Sequence, residues 1–202
     1  MGTYGLIGKN IDYSFSKSFF KKKFEKENLI HNYVNFDIKV IDELPLIFSK
    51  TKDLLGLNVT VPYKETIIPY LDKLHSDANK IGAVNTIKIK NGKLIGYNTD
   101  HYGFSKSIIP NINKNHRSAL IIGTGGAAKA IYFALNKLNI KAKFISREPK
   151  NIQYLSYSDL TPKIIKENLI IINCTPVGTY PNIDKHPLIP YEFLNNKHLL
   201  FD

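Results

Sequence analysis

The most constraining stretch of this chain is "SALIIGTGGAAKAIYFALNKLNIKAKFIS", residues 118–146. An apolar run, Ala119–Ile122, meets a turn spaced G-x-G-x-x-A through Gly123, Gly125 and Ala128. A helix-period segment, Lys129–Leu138, follows, and then a second strand-like run, "AKFIS". Strand, glycine turn, helix and strand in that order predict a βαβ unit built into a parallel sheet. Each small residue has a physical reason. Gly123 permits the tight turn, Gly125 lets backbone approach a pyrophosphate, and Ala128 allows close helix–strand packing. The helix start offers free N–H groups and the positive end of its dipole. The competing reading is a merely structural turn; the flanking strands at the right distance favour a dinucleotide site. At the end of "AKFIS", Ser146, Arg147 and Glu148 stand where the ribose is read. An arginine fork suits the 2′-phosphate of NADP, whereas an acidic residue suits the 2′-hydroxyl of NAD. Arg147 favours NADP, while Glu148 would repel the 2′-phosphate unless it points away, which keeps NAD as the alternative; a plain surface cation is the other reading of Arg147.

The residues before this unit alternate differently. "TYGLIG", "NYVNFD" and "GLNVTV" read as strands. "SKSFFKKKFEKENL" reads as a helix with Ser16 or Ser18 as its cap, and "IDELPLIFSK" as another with Pro45 in an early turn. "KETIIPYLDKL" reads as a helix kinked at Pro69. "GAVNTIKIKNGKLIGYNTD" carries a hairpin signal, two period-two runs around Asn91-Gly92. Downstream, "NLIIINCTPVGTYP" is a buried strand ending in a turn, and "KHLLFD" a last strand. A buried-looking strand at the very end suggests missing downstream sequence. The pattern loosens near residues 101–116. The expected fold is therefore α/β: an N-terminal α/β substrate domain with a mixed sheet, residues 1–101, and a Rossmann-like dinucleotide-binding domain, residues 102–202.

Polar residues interrupt the first part where a core would not want them. "NVTVPYK", Asn58 to Lys64, opens like a buried strand yet carries Asn58 and Thr60, then stops at Pro62 and presents Lys64. Unpaired polar burial is costly, so the segment alone is divided between an edge strand with one wet face and polar groups held for a purpose, and the rest of the chain decides. Ser14 and Ser16 alternate with Phe15 ahead of a helix, which suits either a carboxylate cradle or ordinary capping. Asn85-Thr86 breaks the strand "GAVNTIKI", and Asp100 ends "GYNTD".

Together these segments form a pattern. "YSFSKS", "LGLNVTVPYKE", "IGAVNT", "GYNTDHYGF", "IIGTGGAAKA", "ISRE" and "INCTPVGTYP" occur in family order across nearly the whole chain. The chain resembles the shikimate dehydrogenase family, enzymes that reduce 3-dehydroshikimate to shikimate with NADPH in aromatic amino-acid biosynthesis. The resemblance implies that Ser14 and Ser16 hold the substrate carboxylate. Thr60, Asn85 and Asp100, with Lys64, would bond the ring hydroxyls, and Asn58 would brace that site. Lys64 and Asp100 would be the catalytic pair. Gly123, Gly125, Gly126 and Ala127 would carry the pyrophosphate, Ser146 and Arg147 the adenosine side, and the loop Thr175, Pro176, Val177 and Gly178 would approach the nicotinamide. Tyr13 and Lys17 replace the family's histidine and proline around the serines, and His101 its glycine. The family continues past the "LLFD" strand, so a further C-terminal segment is expected to be lacking here. Quinate with NAD, or a noncatalytic dinucleotide-binding homologue, are the alternative readings.

Composition narrows the partners. The formal net charge is +11, which favours acidic ligands, but the lysines are dispersed apart from Lys21-Lys22-Lys23. That run is flanked by Phe19, Phe20 and Phe24 in an amphipathic stretch and reads as a solvated helix face, so no nucleic-acid partner is expected. Cys174 is the one cysteine, which allows no internal disulfide and fits a reducing cytoplasm. No membrane-length apolar run and no metal-ligand histidine spacing occur, so neither membrane nor metal is expected. The expected partner is a small-molecule substrate, bound by a monomer or homodimer.

Overall fold

The computed structural model describes residues 2–202. The chain divides into two compact units, Met1–Thr99 and Asp100–Asp202. Among the described residues no helix is long and apolar enough to cross a membrane.

The first unit runs β1 (Gly2–Gly8), α1 (Phe15–Lys26), β2 (His31–Asp37), a 3₁₀ turn leading into α2 (Leu44–Lys50), and β3 (Leu54–Val59). It continues through β4 (Lys73–Leu74), α3 (Ser76–Ile81), β5 (Thr86–Lys90) and β6 (Lys93–Tyr97). The strands form one six-stranded sheet in the order β2-β1-β3-β5-β6-β4. β1 pairs parallel with β2 and β3, whereas β5 runs antiparallel to both β3 and β6. Strand alternation sends consecutive residues to opposite faces. Ile7 joins Leu57, Val59, Ile87 and the α2 residues Leu44 and Ile47 on one face. Leu6 joins Ile11, Phe24 and Tyr33 beside α1 on the other. The β5–β6 hairpin turns at Asn91 (φ 51°) and Gly92 (φ 73°), the paired left-handed conformation that an Asn-Gly turn favours.

Three local expectations give way. The cap of α1 is Ser14, whose side chain accepts the Ser16 N–H, and not Ser16 or Ser18. β3 lies in the sheet interior between β1 and β5, so it is no edge strand. "KETIIPYLDKL" forms no α-helix: it is a turn, a 3₁₀ segment at Ile68–Tyr70 and the short strand β4. Pro69 interrupts helical bonding there, and the sheet offers a better partner. Asp72 donates its N–H to the Leu94 carbonyl at 3.0 Å and accepts the Leu94 N–H on its carboxylate at 2.7 Å, drawing the chain along β6.

The second unit runs α4 (Asp100–Ile108), β7 (Ser118–Ile122), α5 (Gly126–Lys137), β8 (Lys141–Ile145), β9 (Tyr154–Leu155), α6 (Pro162–Glu167), β10 (Ile170–Asn173) and β11 (Leu199–Phe201). Its five strands are all parallel, in the order β11-β10-β7-β8-β9. Both faces of the sheet are covered, which explains the uninterrupted apolar reading of β7 and β10. Ile121, Phe144, Ile170 and Ile172 pack with Phe104 and Ile108 of α4 and Leu135 of α5. Leu120, Ile122, Ile145 and Ile171 pack with Ile165 of α6. α4 is a helix within the stretch whose pattern loosens; Phe104 and Ile108 stand four apart and supply its buried stripe.

Ile172 is wholly buried on the interior strand β10. Replacing it with Ala removes three carbons and leaves a cavity, so urea unfolding should show a loss of about 2–5 kcal/mol.

Candidate active site

In the first unit the polar residues gather where β3 ends and β5 begins. Because β5 is antiparallel to β3, Asn58 lies directly opposite Thr86. Beyond the ladder, the Val59 N–H donates to the Asn85 carbonyl at 2.8 Å, and the Val84 N–H to the Lys64 carbonyl at 2.7 Å. The Thr60 N–H donates to the Ile7 carbonyl at 2.9 Å, and the Tyr63 N–H to the Thr60 carbonyl at 3.0 Å. Three of these backbone bonds fix the segment 59–64 against β1 and the entrance to β5, and the fourth closes a turn within it. Asn58, Thr60, Lys64 and Asn85 are all half-buried.

Asn58 can sit on an interior strand because its side-chain oxygen accepts the Tyr33 hydroxyl at 2.8 Å. Tyr33 is 7% exposed and stacks on Phe20 with ring centroids 4.5 Å apart. Burial pushes its phenol from the usual 10.0 up to about 12, against the lowering effect of a bond from the Ser16 side chain. Tyr33 thus links α1 to β3. Sequence reasoning missed it; its signal was period-two polarity, since Tyr33, Asn35 and Asp37 share one face of β2.

Ser14 and Ser16 are half-buried and flank Phe15, which is 74% exposed. Ser14 caps α1 by accepting the Ser16 N–H at 3.2 Å, so capping is one of its roles. Asn85 binds the approach to the second unit. Its Oδ1 accepts the Thr99 N–H at 2.9 Å and the Thr86 hydroxyl at 3.0 Å, and its Nδ2 donates to the Thr99 hydroxyl at 2.8 Å. Asp100, the residue after Thr99, opens α4 as the first residue of the second unit.

In the second unit two loops meet at the carboxyl ends of neighbouring strands. β7 leads onward to β8 on one side, while β10 lies on its other side and leads to β11. This reversal of direction is a topological switch point, where open parallel sheets bind ligands. Gly123 follows β7 with φ +107°, a conformation that L side chains rarely adopt. A Cβ there would also come within 3.1 Å of the Cys174 carbonyl oxygen and the Thr175 methyl, so the turn lies against the loop after β10. Gly125 caps α5 in an extended conformation, and a Cβ on it would meet nothing within 4 Å. Gly126 and Ala127 begin the helix, half-buried, and Ala128 is fully buried behind them. Open space ahead of a twelve-residue helix whose first N–H groups lack helical partners fits a pyrophosphate.

The Thr175–Gly178 loop is held by Asn173. Its Oδ1 accepts the Thr175 N–H at 3.0 Å and hydroxyl at 2.6 Å, and its Nδ2 donates to the Val177 carbonyl at 3.0 Å. The Thr175 hydroxyl in turn accepts the Val177 N–H at 3.2 Å, and Gly178 turns the chain with φ +92°. Pro176 is exposed. A cavity of about 300 Å³ opens beside this loop, lined among others by Ile122, Asn173, Val177 and Tyr191. Asn173 was also missed; it is the one polar residue closing an otherwise apolar strand. Ser146 closes the turn after β8, its hydroxyl accepting the Glu148 N–H at 3.1 Å and donating to the Glu148 carbonyl at 3.0 Å. Arg147 and Glu148 are exposed there.

A mixed-sheet unit with polar strand ends, and a parallel-sheet unit with a glycine turn at its switch point, define the class: a dinucleotide-dependent dehydrogenase. The family model described as the shikimate dehydrogenase substrate binding domain matches residues 6–87. Shikimate dehydrogenase (NADP(+)) of Methanococcus vannielii is 39% identical over 98% of this chain and 76% of its own length. The crystal structure of shikimate dehydrogenase 1 from Peptoclostridium difficile is 38% identical, with a TM-score of 0.83 over 93% of this chain and 72% of that one. That of shikimate 5-dehydrogenase from Thermus thermophilus, in complex with NADP(H) and shikimate, is 25% identical, with a TM-score of 0.84 over 99% of this chain and 77% of that one. The chain belongs to the shikimate dehydrogenase family.

The Tyr33 phenol gives a pH signature. A raised pKa means that the folded state holds its proton more tightly than the unfolded state. Its contribution to stability is fully present below pH 10 and is lost as pH rises towards about 12. Urea unfolding on either side of pH 10 should show wild type losing stability more steeply than Tyr33→Phe.

Proposed function

We propose that this chain catalyses the reversible, NADP-dependent reduction of 3-dehydroshikimate to shikimate. The observation that carries the reading is the backbone clamp of Val59 to Asn85 and of Val84 to Lys64, which gathers Asn58, Thr60, Lys64 and Asn85 at one end of the sheet. Four half-buried polar groups on two neighbouring strand ends suit a small polyhydroxylated ring. Ser14 and Ser16, at the start of α1, suit its carboxylate.

Bound NADPH supplies the hydride. The chain's own residues manage charge and orientation. As the ring ketone accepts the hydride its oxygen becomes negative. The Lys64 ammonium stabilises that charge and donates a proton to the oxygen. Asp100 is the second member of the catalytic pair and serves a substrate hydroxyl. Thr60 and Asn85 hold the remaining hydroxyls, and Asn58 braces the strand end. Gly123, Gly125, Gly126 and Ala127 hold the pyrophosphate, with Ser146 and Arg147 at the 2′-phosphate. Thr175, Pro176, Val177 and Gly178 form the nicotinamide side. The enzyme works in the cytoplasm, as a monomer or homodimer.

Spectrophotometric turnover of shikimate with NADP tests the reading; turnover confined to quinate and NAD, or cofactor binding with no turnover, would refute it. Lys64→Ala should lower kcat by about a hundredfold or more. A near-normal kcat with a raised KM would instead make Lys64 a binding residue.

A further inference from the structure

We propose that Asp37 is a positioning residue: it holds the loop that presents Ser14, and so sets the placement of that serine. The proposal rests on the reading of Ser14 and Ser16 as the carboxylate cradle.

Asp37 closes β2, and its carboxylate spans two consecutive backbone donors. Oδ1 accepts the Asn10 N–H at 2.9 Å, and Oδ2 accepts the Ile11 N–H at 3.0 Å. Two residues earlier on the same face, Asn35 donates from Nδ2 to the Ile11 carbonyl at 3.2 Å. That same carbonyl accepts the Ser14 N–H at 2.9 Å. The peptide groups on both sides of Ile11 are therefore gripped by β2, and the carbonyl that Asn35 grips is the one that accepts the Ser14 N–H. Ile11 is 2% exposed, which anchors the loop in the core between these bonds.

The loop is held at its start as well. The Ile38 N–H donates to the Gly8 carbonyl at 3.0 Å, and the Lys9 N–H to the Val61 carbonyl at 3.3 Å. A Cβ on Gly8 would stand 2.5 Å from the Thr60 methyl and 2.6 Å from the Ile11 side chain. The loop thus runs from contact with Thr60 to the cap of α1, and Asp37 is the charged group that fixes its middle. Asn10 takes φ +56°, so the turn that aligns the two N–H groups is one that asparagine tolerates better than most residues. Tyr33, a further two residues back on the same face, completes the pattern by reaching Asn58 and Ser16. One strand face therefore addresses the loop, the first turn of α1 and the strand end in turn.

A carboxylate accepting two N–H groups makes charge-assisted bonds and leaves neither donor unpaired. An amide at the same place offers one acceptor and turns an NH₂ group towards the other donor. Asp37→Asn is therefore close in shape and opposed in hydrogen bonding. The loss should appear in the placement of Ser14 rather than in the chemical step.

The test uses the whole chain with shikimate and NADP. Asp37→Asn should raise KM for shikimate about fivefold and leave kcat and the KM for NADP within about twofold. In a Ser14→Ala background, adding Asp37→Asn should change KM for shikimate by less than about twofold, because the residue acts through Ser14. An unchanged KM in the single variant, or a full multiplication of the two effects, overturns the proposal. A merely structural role would lower kcat per mole of protein with KM unchanged, which also counts against it. Amide hydrogen exchange supplies a readout independent of catalysis: the Ile11 and Ser14 amides should exchange about tenfold faster in Asp37→Asn. Unchanged exchange at both overturns the proposal whether or not shikimate is turned over. Absent turnover by wild type, with faster exchange in the variant, instead removes the dehydrogenase reading and leaves the loop anchor standing.

Discussion

The antiparallel pairing of β5 with β3 is the constraint on which the first unit depends. β2, β1 and β3 run parallel, so their carboxyl ends lie along one edge. A strand added parallel to β3 would bring its own carboxyl end to that edge. β5 runs the other way, so its amino-terminal approach, Val84 and Asn85, arrives beside Val59 and Lys64. The reversal lets two chain segments that are distant in sequence offer polar side chains at one place. It also gives those residues backbone partners, which makes a cluster of half-buried polar groups affordable at the end of an otherwise apolar sheet.

The second unit reaches a comparable result by a different route. All of its strands are parallel, so every carboxyl end already shares one edge. What selects a site along that edge is the order β11-β10-β7-β8-β9, in which the chain leaves β7 in one direction and later returns on its other side. The turn after β7 and the loop after β10 then face each other, with Gly123 close enough to Cys174 and Thr175 that a side chain would intrude. Gly123 and Gly125 therefore do different work. The first is small because protein backbone approaches it, and the second leaves open space ahead of α5.

Much of this was legible in the sequence, for identifiable reasons. The glycine turn carries its own strand and helix on either side, so residues 118–146 reported their fold directly. Asn91-Gly92 fixed the hairpin in the same local way. What failed to read was decided by distant partners. "KETIIPYLDKL" has enough helix formers to suggest a helix, but β6 captures Asp72 through two hydrogen bonds, and no local pattern records that. The edge-strand alternative for β3 arose because no local residue pairs Asn58; its partner, Tyr33, lies on a strand 25 residues away. The role of Asn173 was hidden similarly, since a polar residue at a strand end has many ordinary explanations.

The polar face of β2 shows how a supporting layer escapes sequence reading while remaining physically specific. Tyr33, Asn35 and Asp37 alternate with Val34 and Phe36, a pattern that by itself says only that one face of the strand is wet. The structure gives that face three different tasks within seven residues, binding Asn58, the Ile11 carbonyl and two consecutive N–H groups. β2 can do this because it is the outermost strand, paired on one side only, and α1 covers just part of its polar face. The side chains proposed to touch substrate are thus only the visible half of the arrangement. Among them Ser14 and Ser16, with the bracing Asn58, are tied to an edge strand whose polarity would otherwise be read as simple exposure.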